Sequence, residues 1–154
     1  MSGITGKTLE FKHLQNIRFS EVDSMGIVWH GHYIQYLEEA REMFGKNYGI
    51  DYLTIAANGF KIPIVDIDCK YRRSLKYGDE IVTQVKFIDT MAAKIIFEYE
   101  LYRVSDGQLA ASGHTTQVFI DEEDRLQLNY PEFFLEWKKK WGLYFFTALF
   151  LLFG

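Results

Sequence analysis

The apolar period of this chain changes once, from helical to strand-like, and that change constrains the fold more tightly than size or charge. From Tyr33 to Tyr48 the apolar residues fall at Tyr33, Tyr36, Leu37, Ala40, Phe44 and Tyr48, the three-and-four spacing of one helical face. Gln35, Glu38, Glu39, Arg41, Glu42 and Lys46 fill the other side as a solvated face. Glu42 and Lys46 stand in the favourable i, i+4 order, and Gly49 follows as a helix stop. A second short helix or turn is expected between Asp51 and Asn58. Beyond it the period is two. Val65, Ile67, Cys69 and Tyr71 alternate with polar residues; so do Ile81, Val85 and Phe87, and then Ile95, Phe97, Tyr99 and Leu101. Leu109 to Asp121 is a fourth run, rich in Thr, Val, Phe and Ile.

The turns between these runs are Tyr77-Gly78-Asp79, Asp89-Thr90 and Ser105-Asp106-Gly107, and Asp-Gly between alternating strands signals a hairpin. With Phe11 to Phe19 as a first strand, the expected order is strand, helix, then a four-stranded antiparallel meander. Pro131 to Trp141 predicts a closing helix with its proline in the first turn. This is an α+β chain with one long helix to cover one sheet face. At 154 residues, without repeat or linker, it predicts a single domain over residues 1–141. Residues 142–154 remain as an apolar tail.

Composition excludes some functions. The formal charge is −4, the wrong sign for a nucleic-acid binder that works through a basic face. Cys69 has no second cysteine to pair with, and the polar start from Met1 to Lys7 has no apolar stretch behind it, so a cytoplasmic setting is expected. Cys69 itself is expected to be a small buried hydrophobe.

The chemistry concentrates between the first strand and the long helix, in Asp23-Ser-Met-Gly26-Ile-Val-Trp29-His30-Gly31-His32-Tyr33. A carboxylate, a glycine turn, an apolar patch and a helix N-terminus lie within about ten residues. Free N–H groups and the positive end of the helix can hold a developing oxyanion. A carboxylate just upstream can attack a carbonyl or activate water. His30 and His32 diverge at i, i+2 without supporting ligands, so no metal is expected.

These residues resemble the signature of hot-dog-fold thioesterases, in particular the 4-hydroxybenzoyl-CoA thioesterase and YbgC-like branch. Tyr71-Arg72-Arg73-Ser74-Leu75-Lys76-Tyr77-Gly78-Asp79 resembles that branch's second recurring stretch, and Gly113 to Asp121 a weaker third. The resemblance implies an antiparallel sheet wrapped around one central helix. It implies hydrolysis of an acyl-CoA thioester to free acid and CoA, with Asp23 as nucleophile or general base. It places His30 at the helix start, whose N–H polarises the thioester carbonyl. Gly26, Trp29, Tyr33, Arg73 and Lys76 become substrate-binding positions, the two basic ones near the CoA phosphates. Ser74 replaces a usual proline, and Met25 stands where small residues are common. No cofactor is implied, because CoA is part of the substrate. An acyl-carrier-protein thioester as substrate, or a non-catalytic acyl-binding module, are the alternatives. The resemblance also implies pairing into a homodimer or homotetramer.

The end of the chain departs from this pattern. Lys138-Lys139-Lys140-Trp141 precedes an apolar run from Leu143 to Phe153, shorter than the ~20 residues a membrane span needs. Packing onto the protein or its oligomer, an aberrant end, and membrane contact through lysines and tryptophan are the three readings. Exposed, such a run would drive aggregation, so it is expected to be covered.

Overall fold

The computed structural model describes residues 8–143. The tail residues after Leu143 lie outside the described residues. The element order is β1 (Thr8–Asn16), α1 (Gly31–Tyr48), α2 (Tyr52–Ala57), β2 (Ile64–Tyr71), β3 (Glu80–Ile88), β4 (Lys94–Arg103), β5 (Leu109–Val118) and α3 (Glu132–Lys140), with a single 3₁₀ turn at Phe19–Glu21. Helix α1 stops where expected: Gly49 takes a left-handed conformation and its N–H returns to the Gly45 carbonyl, because glycine meets no Cβ penalty there. Asp51 starts α2 by accepting from the Thr54 N–H.

All five strands form one antiparallel sheet in the order β1-β3-β4-β5-β2. The expected four-stranded meander is therefore corrected. Only β3, β4 and β5 form a meander; β2 crosses to the far edge and pairs with β5, while β1 takes the free edge of β3. The connection after β2 is no tight hairpin. The Arg72 and Arg73 N–H groups both donate to the Ala110 carbonyl, and Ile17 N–H donates to Asp79 at the other end. That segment is thus carried across the end of the sheet.

The inward face of the sheet meets α1. Val85, Phe87, Ile95, Phe97 and Tyr99 bury against Leu37, Ala40 and Phe44, and α3 closes this core with Phe134 and Trp137. Gly113 in β5 permits the contact. A Cβ there would lie 2.4 Å from the Asp68 carbonyl oxygen and 3.2 Å from Leu37 Cδ1. A second cluster gathers Ile17, Val28, Tyr33, Tyr36, Leu75, Ile81 and Leu101 beneath the start of α1.

The lysine run does not act as one surface feature. Lys138 is buried, its Nζ 2.7 Å from Asp89 Oδ1 and 4.5 Å from the Tyr130 ring centroid. The turn residue Asp89 is thereby a core residue. No helix among the described residues is long and apolar enough to cross a membrane.

Candidate active site

Asp23 sits in a small hairpin between Val22 and Val28, which pair antiparallel. Its N–H donates to the Ile27 carbonyl, and Gly26 N–H returns to the Asp23 carbonyl. Gly26 adopts φ +78° with open space where a Cβ would stand, a turn position that favours glycine. The Asp23 carboxylate is part of the turn: Oδ1 accepts from Met25 N–H at 2.8 Å and from Ile27 N–H at 3.4 Å. Oδ1 is therefore occupied by the backbone, and Oδ2 is the oxygen left for other work.

This hairpin is fixed to two neighbours. Val28 N–H donates to the Leu75 carbonyl at 2.7 Å, and Ile27 pairs with Lys76. The candidate positions Asp23, Gly26 and Lys76 therefore belong to one small platform over the second core cluster. Arg73 is exposed close by in the same crossing segment. Its carbonyl accepts from the buried Tyr33 hydroxyl at 3.0 Å, and burial pushes the Tyr33 pKa up. Tyr33 thus lies beneath the site as a tie between α1 and the crossing segment. The Ser74 carbonyl accepts from Arg103 Nη1. Arg103 is itself held by Asp106, whose carboxyl it keeps down at about 2.

His30 is the N-cap of α1 and its side chain is exposed. Tyr71 Oη donates to the His30 carbonyl at 3.2 Å, fixing the first turn to the end of β2. Among the described residues, the N–H groups of His30 and Gly31 donate to no protein acceptor. They are the orphan donors that a helix N-terminus offers. The Trp29 ring folds over this turn, 4.9 Å from the His30 ring centroid and 5.6 Å from that of His32. A Cβ at Gly31 would stand 2.1 Å from the Trp29 ring, so glycine at 31 is what allows the ring to lie there.

A cavity of about 810 Å³ begins at the next residue and follows α1 from His32 to Gly45. Its wall includes Ile62, Phe97, Phe134 and Trp137, and its rim includes Glu38 and Glu42. The face expected to be merely solvated therefore borders a hollow. Asp23 and His30 lie next to the cavity and not in its lining: Glu21 and His32 line it, and the Glu21 carbonyl holds the Trp29 N–H.

His32 Nδ1 contacts Gln35 Oε1 at 2.6 Å. Burial pushes the half-buried Cys69 thiol up, away from thiolate chemistry. On the outer sheet face His114 is clamped by Asp66 at 2.7 Å and Asp68 at 2.9 Å, which raises its pKa. Single-chain spacing gave no sign of this triad, because the residues meet only through the β2–β5 register.

A five-stranded antiparallel sheet packed on one long helix is the hot-dog architecture. The chain belongs to the thioesterase-like superfamily, whose family model matches residues 17–138. It is 28% identical over 121 residues to the Bacillus subtilis protein named "Putative acyl-CoA thioesterase YneP", across 79% of this chain and 87% of that one. Its fold is similar to that of Slr0204, a 1,4-dihydroxy-2-naphthoyl-CoA thioesterase from Synechocystis. There the TM-score is 0.73 at 20% identity, covering 80% of this chain and 90% of that one. A 4-hydroxybenzoyl CoA thioesterase mutant complexed with 4-hydroxybenzoyl CoA also shares the fold, with a TM-score of 0.72, 20% identity and coverage of 83% and 97%.

Proposed function

We propose that this protein hydrolyses acyl-CoA thioesters to the free carboxylic acid and CoA, with Asp23 as the catalytic carboxylate and the start of α1 as the oxyanion site. The observation that carries this reading is a half-engaged carboxylate in the hairpin that leads directly into the start of α1, where the N–H groups of His30 and Gly31 meet no protein acceptor among the described residues. Family membership supports the reaction class, and the name of the Bacillus relative supports CoA as the carrier.

The thioester carbonyl oxygen accepts from the free N–H groups, and the helix end stabilises the negative charge that grows there. As general base, Asp23 takes a proton from water while the hydroxyl oxygen bonds to the carbonyl carbon. The carbon–sulfur bond then breaks, and the CoA thiolate leaves and is protonated. As nucleophile, Asp23 instead bonds to that carbon, and water later cleaves the resulting anhydride. Both routes consume one water and release one acid and one thiol. Neither draws on a metal or redox cofactor.

Arg73 and Lys76 supply positive charge for the CoA phosphates, and Gly26 and Trp29 border the reacting carbonyl. Among the described residues β1 and β2 are the edge strands of the sheet, and pairing with a second copy is one way to protect such edges. A homodimer or homotetramer is accordingly proposed, in the cytoplasm. The test is thiol release from acyl-CoA substrates followed with a chromogenic thiol reagent. Equimolar acid and CoA are expected; no release from any acyl-CoA contradicts the reading. A single turnover in ¹⁸O-water that leaves label in Asp23 identifies the nucleophilic route, with water attacking the Asp23 carbonyl of the anhydride.

A further inference from the structure

We infer that the cavity along α1 seats the acyl chain, and that the substrates are thioesters of long, unbranched aliphatic acids. The inference rests on the thioesterase reading and adds the substrate class to it. Length comes first. The cavity follows α1 from His32 to Gly45, a run of roughly 20 Å at the helical rise per residue. At about 810 Å³ it lies in the upper part of the usual ligand-pocket range of ~300–1,000 Å³. A compact ring or a short acyl group leaves most of such a hollow unfilled.

The lining is the second argument. Ile62, Ile64, Ile95, Phe97 and Trp137 give the wall apolar surface well away from the helix start. That is chemistry for methylene groups. Charge is the third. Carboxylates outnumber cations among the lining residues: Glu21, Glu38, Glu39, Glu42 and Asp51 against Arg18, Arg41 and Lys61. An anionic nucleotide is repelled there, whereas a neutral chain is not. Exposed Lys76 pairs with Ile27 on the edge of the Asp23 hairpin, and the exposed Arg72 and Arg73 precede it in the same crossing segment; none of the three lines the cavity. A thioester centred on the helix start therefore has two exits of opposite character, one for the CoA phosphates and one for the chain.

The experiment is a chain-length series from butanoyl- to hexadecanoyl-CoA, with benzoyl-CoA as the compact comparison. The expected kcat/KM rises by roughly fourfold per added methylene until the cavity is filled. Ile62→Trp and Ile64→Trp, which project bulk into the hollow, should each lower the tetradecanoyl-to-butanoyl activity ratio at least tenfold. Calorimetric titration with free tetradecanoic acid reads the cavity without turnover: binding to the wild type and loss in the tryptophan variants are expected. A preference for butanoyl- or benzoyl-CoA overturns the inference while leaving the thioesterase reading intact. Absence of hydrolysis with tetradecanoate still bound overturns the reading and leaves the cavity assignment. Failure of tetradecanoate to bind the wild type overturns the cavity assignment directly.

Discussion

Lys138 Nζ and Asp89 Oδ1 are 2.7 Å apart, with both side chains withdrawn from solvent. This pair locks α3 to the turn between β3 and β4, and so fixes Phe134 and Trp137 against the core and the cavity. Removing one partner strands a buried charge, at a cost of about 3–5 kcal/mol. Lys138→Met should lower unfolding free energy by that amount in a urea titration. Combining it with Asp89→Leu should recover most of the loss, because no charge is then left unpaired.

Gly31 and Gly113 should respond differently to the same substitution. At Gly31 the obstacle is the Trp29 ring, a side chain that can swing away. Gly31→Ala should leave stability within about 1 kcal/mol, since alanine favours the helix. It should lower kcat/KM by up to ~10²-fold as the site geometry shifts, with a change in tryptophan fluorescence. At Gly113 the obstacle is the Asp68 backbone carbonyl. Gly113→Ala should cost about 1–3 kcal/mol of stability, visible as a lower thermal midpoint.

The His114 clamp predicts a pH signature. Asp66 first, then Asp68, raises the histidine pKa in the folded chain. A raised folded pKa gives stability that is fully present below the unfolded value near ~6.5 and is lost as pH climbs through the folded value. Wild type should therefore exceed His114→Gln in denaturant stability by more at pH 5.5 than at pH 9. A gap independent of pH contradicts the clamp.

Because the N–H contribution belongs to the backbone, His30→Ala should retain far more turnover than a change at Asp23. Parallel steady-state kinetics on the two variants checks this. Equal, near-total losses mean that the imidazole itself is required.

Much of this was legible locally. The Tyr33–Tyr48 spacing marked α1, Gly49 its stop, and the alternation in 81–87 and 95–101 placed the inward faces of β3 and β4. The acid, glycine and helix-start pattern marked the candidate loop. Pairing was not legible, because strand alternation names a face and not a neighbour. Hence β2 was expected beside β3 and stands beside β5. In β2 a register shift at Ile64/Asp66 leaves Val65 exposed despite its place in the alternation. Lys138 and Asp89 each looked like surface residues, since their burial exists only once α3 folds back. A loop Asp can serve as a turn cap or as a reacting group, and one oxygen of the Asp23 carboxylate does hold the turn.

That last point decides which substitution tests the central claim. Asp23→Ala would remove a turn acceptor along with the charge, whereas Asp23→Asn keeps the amide oxygen for Met25 N–H and deletes the base or nucleophile. Steady-state acyl-CoA hydrolysis by Asp23→Asn, with its folding checked by circular dichroism, is the direct measurement. A loss of ~10²–10⁴-fold in kcat in a folded protein is the predicted result. Turnover within about tenfold of wild type contradicts the assignment of Asp23 as the catalytic carboxylate.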